Sequence, residues 1–323
     1  MNYQKLITPE FIKNIPVEAE HGLLGYPYNQ YTHYPAQNRQ GWVDIFRDTL
    51  LSVSVSKEWI LFAAEQNSDM ALVGCRISDW DKDHFGIKMA GIKVFFASST
   101  ETGENLKLNL LTECVSFLKG KGIAFVSARF QGDDLSSIHV LEDTGFRYYD
   151  DMIWPVLRLS SFAGELPGNL RLMKPADLDR VKYIAAHYQY DRGHFHCDAR
   201  FPKHLVNTMY AKWVESAFNR HGTIAVIESE GIVAGYFVFE MDKTLSKQLG
   251  TPYGRLQSLA LDSTFRGKGL GKSLFEGTLA YIKQAGGEFV DSGYATKNHL
   301  SARLHYNSGF LPVYEEVTLH YWL

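Results

Sequence analysis

The sequence predicts an α+β protein made of two tandem units, on three observations. Its 323 residues exceed one typical domain. Strand-like and helix-like segments both recur along most of its length. Two distant stretches also match: Phe125 onward reads FVSARFQGDDLSSIHVLEDTGFRYYDD, and Phe289 onward reads FVDSGYATKNHLSARLHYNSGFLPVYEE. An offset of 164 residues pairs Gly145 with Gly309, Phe125-Val126 with Phe289-Val290, Phe146 with Phe310 and, upstream, Ile60 with Ile224. After one inserted residue an offset of 165 pairs Tyr149 with Tyr314 and Asp150-Asp151 with Glu315-Glu316. Self-similarity of this kind marks a duplicated unit. The expected domains are 1–160 and 161–323, divided within Ser160–Asn169, which is rich in small residues, Gly and Pro.

The elements of the second unit follow in order. Pro175 and Asp177 open a helix, PADLDRVKYIAAHYQY. Leu205, Met209, Trp213 and Phe218 then recur at roughly helical spacing. TIAVIESEGIVAGYFVFEMD reads as a hairpin turning at Ser229–Gly231, and GRLQSLALDS as a third strand. A helix follows with Leu270, Leu274, Phe275, Leu279 and Ile282 on one face. Then come a strand, GEFVDSGY, a helix ended by Gly309 and a last strand, VTLHYWL. The first unit repeats the order: strands at Ile60–Glu65, Ala71–Ile77 and Gly91–Ala97, a helix at Asn105–Leu118, a strand at Ile123–Arg129 and a helix ending at Gly145. Residues 1–50 fall outside the repeat, and the Tyr-, Gly-, Pro- and Gln-rich stretch 20–41 reads either as an irregular loop or as part of a binding face.

Composition narrows the function classes. Hydrophobic residues make up 45% and charged residues 21%, an ordinary globular balance. A net charge of −3 gives no electrostatic reason to expect nucleic acid or an anionic membrane as partner. Three cysteines, Cys75, Cys114 and Cys197, are too few and too unpatterned for a disulfide framework. No apolar run approaches the ~20 residues a bilayer requires, and the N-terminus lacks the apolar core of a signal peptide. A soluble, cytoplasmic protein is expected. His194, His196, Cys197 and Asp198 in HFHCD stand too close together for a zinc-finger arrangement, so no metal is expected.

The chemistry is carried by FRGKGLGKSLF, Phe265–Phe275. A P-loop would need Gly where Arg266 stands, and a dinucleotide fingerprint would need Gly where Lys272 stands. What remains is a phosphate cradle between a strand and an amphipathic helix. Glycines let backbone N–H groups approach a pyrophosphate, the helix N-terminus adds unpaired donors and its dipole, and Arg266 with Lys268 or Lys272 adds charge.

Arg266, Gly269 and Gly271 satisfy the Arg/Gln-x-x-Gly-x-Gly/Ala pattern, and here the chain resembles the GNAT-family N-acetyltransferases, from about residue 50 onward. The resemblance implies two tandem domains, each a mixed, mostly antiparallel twisted sheet flanked by helices. It implies acetyl-CoA as acyl donor, with its pyrophosphate on Arg266, Gly267, Lys268, Gly269, Leu270, Gly271, Lys272 and Ser273, and its pantetheine arm along Leu259, Ala260 and Leu261. Asn298, His305 and Gly309-Phe310 stand at the spacing of the family's Asn, Tyr and Gly-Phe. Asn298 would then contact CoA. His305, where relatives carry the Tyr that protonates the leaving thiolate, and the adjacent Tyr306 are both candidates for that acid. No carboxylate stands beside Gln257 and Ser258, where relatives often place a base. Water-relayed proton loss, Glu240 and Asp198 are the alternatives.

The 164-residue offset maps the cradle onto Thr102–Lys107 and Asn298 onto Asp134, so the first unit should lack the CoA site. DWDKDHFGIKMA, HFHCDARF and MYAKWVESAF resemble segments of dTDP-fucosamine-type amino-sugar acetyltransferases within the family. They imply acetyl transfer to the amine of a nucleotide-linked sugar. The alternatives are a protein N-terminus, a lysine or an antibiotic amine as acceptor, or a CoA-binding module without turnover. Expected partners are acetyl-CoA, a small-molecule amine and, as the candidate assembly, a second copy of the chain in a homodimer, with no nucleic acid or membrane.

Overall fold

The computed structural model describes residues 2–4, 12, 48, 50–52 and 54–323, apart from 222, 244–245 and 248–249. The stretch 20–41 lies outside the described residues. The chain forms two units. Unit 1 comprises Met1–Asp151 with Tyr314–Leu323, and unit 2 comprises Met152–Val313. Each is an α+β unit with a mixed sheet flanked by helices.

In unit 1 the sheet order is β1 (Asn2–Gln4), β2 (Trp59–Gln66), β3 (Asp69–Ser78), β4 (Met89–Ala97), β5 (Phe125–Gln131) and the end of β13 (Leu311–Trp322). A tight turn joins β2 to β3 with Asn67 at φ 58, a left-handed conformation that Asn tolerates. Neighbouring strands are antiparallel except β4 and β5, which run parallel over Met89–Ile92 and Phe125–Ala128 only. Short helix α1 (Asp79–Phe85) links β3 to β4, capped by the Ser78 hydroxyl, which accepts from the Asp81 N–H. α2 (Glu101–Gly120) is capped by the Thr100 hydroxyl, which accepts from the Gly103 N–H. It buries Leu106, Leu110, Leu111, Cys114 and Leu118 against Phe62, Val73, Ile92, Phe95, Ala128 and Phe130 of the sheet. α3 (Leu135–Asp143) follows β5 and brings Leu141 to the same core.

Unit 2 repeats this plan. Its sheet order is β6 (Arg147–Arg158), β11 (Phe289–Asp291), β10 (Tyr253–Leu261), β9 (Ile232–Met241), β8 (Ile224–Ser229) and β7 (Leu170–Leu172), with β12 (Tyr294–Ala295) beside β6. β10 and β11 run parallel over three residue pairs, Tyr253–Arg255 with Phe289–Asp291. One face packs on α7 (Leu270–Gln284) through Leu274, Phe275, Leu279 and Ile282. The other packs on α4 (Leu178–Tyr188) and α6 (Lys203–His221) through Val181, Ile184, Val214 and Ala217. The one-turn helix α5 (His194–Cys197) precedes α6, and α8 (His299–Asn307) precedes β13.

The sequence-expected boundary at 160/161 differs from the observed division at 151/152 and 313/314. The last strand of each sequence repeat closes the sheet of the other unit. Val156, Leu157 and Arg158 pair with Asp291, Val290 and Phe289, whereas Glu316–Trp322 pair with Gln131–Phe125. A linear boundary cannot describe that exchange. The helix expected from Asn105 begins at Glu101, because Thr100 supplies a cap that the apolar periodicity does not show.

Candidate active site

The cradle stretch sits at the end of β10. Asp262, buried, accepts hydrogen bonds from the Thr264 N–H and hydroxyl, each at 2.9 Å, and from Arg180 Nη2 at 2.6 Å. Burial alone would raise its carboxyl pKa. The hydrogen bonds from Thr264 and the Arg180 guanidinium outweigh it, and the net shift is downward. This anchored aspartate fixes the turn Ser263–Phe265 that leads into the loop. Gly267 and Gly269 both lie at φ 78, a left-handed conformation strained for any other residue except Asn or Asp. Gly269 is the N-cap of α7 and offers no side chain to the first turn, so its leading N–H groups have no side-chain cap.

Arg266 donates from Nε and Nη2 to the Leu261 carbonyl, each at 3.3 Å, and is exposed. Lys268 lies 3.9 Å from Glu230, and Lys272 lies 3.8 Å from Glu276; both lysines are exposed. Leu259, Leu261 and Leu270 are half-buried against the α7 core, while Ala260 faces the opposite core. Gly271 and Ser273 lie in the first turn of α7, and a Cβ at Gly271 would meet only Leu261, at 4.0 Å. Among the described residues no group demands that glycine.

The equivalent stretch of unit 1 is different. There α2 begins at Glu101, about five residues before the position matching the start of α7, so Thr102–Lys107 is helix rather than loop. The Lys107 ammonium is buried and donates to Ser136 Oγ at 2.9 Å, and Ser136 in turn donates to Glu104. Burial lowers the Lys107 pKa, opposed by Asp134 and Glu104. Gly103 is required for another reason: a Cβ there would lie 1.9 Å from the Ser98 carbonyl oxygen.

Asn298 caps α8, its Oδ1 accepting from the Ser301 N–H at 3.2 Å. Asp134 caps α3 in the same manner through Ser137. Helix capping is therefore common to both positions, and the amide NH2 of Asn298 is what unit 2 adds.

His305 and Tyr306 point apart, as adjacent helix positions must. Tyr306 is 81% exposed and His305 3%. The His305 ring packs on Phe275, Tyr294 and Phe310 at 4.8, 4.8 and 4.9 Å. Its Nδ1 donates to the Ser301 carbonyl at 2.8 Å, and Nε2 is buried without a partner. Burial lowers its pKa to about 4 despite that hydrogen bond. Unit 1 holds the fully buried Leu141 at the matching position.

This histidine should make stability acid-sensitive. The unfolded state binds a proton near pH 6.5 and the folded state only near 4, so the stabilisation is intact above about pH 6.5 and is lost as pH falls towards 4. The loss is about 3 kcal/mol. Denaturant melts between pH 7 and 4 should show it in the wild type and not in His305→Leu. An unchanged pH slope in that variant would refute the assignment.

Tyr236, Gln189 and Asp291 carried no sequence signal. The Tyr236 hydroxyl, buried, donates to Gln189 at 3.0 Å and lies 3.1 Å from Ser258 Oγ; burial pushes its pKa up. Gln257 donates to Glu240 at 2.9 Å. Asp198, the other carboxylate considered as a base, is buried and accepts from the Arg200 N–H at 3.1 Å. Asp291 pairs with Arg255 at 3.2 Å, and its burial raises its pKa against that guanidinium. His196 stacks on Tyr210 with centroids 5.9 Å apart and bonds Asn207 at 3.0 Å. Among the described residues no group of three or more His, Cys, Asp or Glu could hold a metal ion, and no helix is long and apolar enough to cross a membrane.

Comparison with known proteins bears on the family and the fold. Residues 187–310 match the model of the acetyltransferase (GNAT) family. A GCN5-related N-acetyltransferase from Sphaerobacter thermophilus aligns over 99% of this chain and 95% of its own, with 13% identity and a TM-score of 0.65. A tandem GNAT protein from the clavulanic acid biosynthesis pathway aligns over 99% and 98%, with 13% identity and a TM-score of 0.59. A glucosamine N-acetyltransferase region of a fungal multi-domain β-N-acetylglucosaminidase aligns over 99% of this chain and 38% of that one, with 12% identity and a TM-score of 0.65. No curated protein is matched by the sequence. The chain thus carries a GNAT-family acetyltransferase domain at residues 187–310 and is an acetyl-CoA-dependent acyltransferase.

Proposed function

We propose that the chain is a tandem-unit N-acetyltransferase with one acetyl-CoA site, in unit 2, and that it acetylates a primary amine by direct attack on the thioester. The observation that carries the placement is the uncapped N-terminus of α7 behind two left-handed glycines. The pyrophosphate takes the free N–H groups there, with Arg266, Lys268 and Lys272 supplying charge and Ser273 a hydroxyl. The pantetheine arm runs along Leu259–Leu261, and the Asn298 amide donates to CoA. Unit 1 is a degenerate copy, because Lys107, Ser136 and Glu104 fill the corresponding place.

Tyr306 is the better acid for the leaving thiolate. His305 is neutral at pH 7, and its one N–H is committed to Ser301. Glu240, which accepts from Gln257 at the irregular point of β10, relays the proton lost by the amine. The acceptor is an amino sugar, nucleotide-linked as the subfamily resemblance implies. The aromatic His196–Tyr210 stack on α5 and α6 offers such a molecule a flat apolar face.

Mass spectrometry of reactions with acetyl-CoA and a panel of amines, including dTDP-amino-sugars, hexosamines, aminoglycosides and peptides, tests the acceptor. Amino sugars should be acetylated in preference to peptides; acetylation of peptides alone would overturn the reading. In Tyr306→Phe, kcat should fall about 10²-fold with KM little changed. A wild-type kcat in that variant would remove Tyr306 from the chemistry.

A further inference from the structure

Both units carry the same irregularity in the corresponding strand. On β10 the register with β9 skips Gln257, between Leu256↔Phe239 and Ser258↔Val238. On β4 the register with β3 skips Lys93, between Ile92↔Cys75 and Val94↔Gly74. The two skipped residues are 164 positions apart, the offset of the repeat. The extra residue of a bulge is unpaired, and its side chain is re-aimed. In unit 2 that side chain is an amide bonded to Glu240. In unit 1 it is a primary amine, and the position matching Glu240 is Arg76.

Lys93 lies back over Gly91. A Cβ added at Gly91 would sit 3.0 Å from Lys93 Cε, 3.5 Å from its Nζ and 3.4 Å from Ser127 Oγ. The glycine therefore leaves room for the amine. Arg129 on β5, Glu316 on β13, Arg76 on β3 and Asp81 on α1 are the charged groups around it. Arg76 is engaged by Glu58 at 3.0 Å, and Arg129 by Thr318 at 3.0 Å with Glu316 at 3.9 Å. Lys93 Nζ forms no hydrogen bond or ion pair with a described residue. Its side chain is open to solvent although surrounded by protein, as in a recess. Desolvation there, then Arg129, hold its pKa below the ordinary lysine value; Arg76 acts in the same direction, and Glu316 and Asp81 oppose.

We propose that Lys93 is a modification site whose amine takes an acetyl group directly from acetyl-CoA. The Nζ lone pair adds to the thioester carbonyl carbon. The tetrahedral adduct then breaks its C–S bond as the C–N amide bond is kept. The nitrogen loses its proton to water, the thiolate of CoA takes one up, and no further reactant is needed. Three features favour this lysine over the others: the bulge re-aims its side chain over Gly91, the amine is tied to no acid, and it is unprotonated at lower pH. The product removes a positive charge that Arg129 and Arg76 disfavour.

The test uses the whole chain with acetyl-CoA at pH 8 and no acceptor, mapping acetylated lysines by mass spectrometry over time. Lys93 should be labelled at least about fivefold faster than the exposed Lys57 and Lys119, and its rate should level off at lower pH than theirs. Lys93→Arg should remove the fast component with an unchanged circular dichroism spectrum. Arg266→Glu should leave it in place, which separates this site from the one proposed in unit 2. Labelling of Lys93 at the surface rate, a fast component that survives in Lys93→Arg, or its loss in Arg266→Glu would each overturn direct transfer.

Discussion

Removal of Tyr314–Leu323 is expected to unfold unit 1, although those residues lie farthest from it in sequence. Glu316–Trp322 pair with every residue of β5. Leu319, Thr318 and His320 are buried, and Arg129 bonds Thr318 at 3.0 Å. His320 packs on Phe125 and stacks on Tyr149 with centroids 4.8 and 4.2 Å apart; Trp322 packs on Phe125 at 5.1 Å and Tyr321 stacks on Phe146 at 5.0 Å. A buried leucine contributes about 2 kcal/mol and each aromatic pair about 1 beyond its area. The lost contacts thus rival the 5–15 kcal/mol that holds a typical domain together. Hydrogen exchange should show β2–β5 amides losing protection in the truncated chain while α7 keeps its own. Retained protection in β5 would contradict the strand exchange. For the same reason a piece cut at the boundary legible in sequence, 161–323, lacks Val156–Arg158 against β11 and should not fold as unit 2 does.

Arg266→Glu is expected to weaken acetyl-CoA binding by about 100-fold or more, measured by calorimetry. The exchange replaces an attractive charge beside a pyrophosphate with a repulsive one. At 5 Å and an effective dielectric of about 20 each such pair is worth about 3 kcal/mol, before screening at an exposed site reduces it. Glu104→Gln, at the matching place in unit 1, should leave the affinity unchanged, because Lys107 and Ser136 already occupy that place. Equal effects of the two substitutions, or none from Arg266→Glu, would place the phosphates elsewhere.

Local chemistry made part of this molecule legible in its sequence. Gly267 and Gly269 were visible because a left-handed backbone admits few other residues, and the hairpins because alternation and turn residues are local signals. The order of elements in both units followed from the repeat. The exchange of β6 and β13 was invisible, because pairing between Arg129 and Thr318, 189 residues apart, leaves no periodic trace. The bulges at Lys93 and Gln257 were hidden for a related reason: a skipped register appears only once the partner strand is known. Spacing could align His305 with a family tyrosine but could not show which way it faces. Its burial depends on Phe275, Tyr294 and Phe310 converging from three other segments. Asp262 and Arg180 lie 82 residues apart, and their ion pair gave no sequence sign.

The exchanged strands also bear on how the chain emerges from the ribosome. Every segment of unit 2, Met152–Val313, is synthesised before the strand that completes unit 1. The half made first is therefore finished last. Until Glu316–Trp322 arrive, β5 waits with an open edge, and an open edge is a template for pairing with other chains. Unit 2, whose strands have all been made by Val313, closes first, and the chain that leaves it carries the strand that unit 1 still lacks.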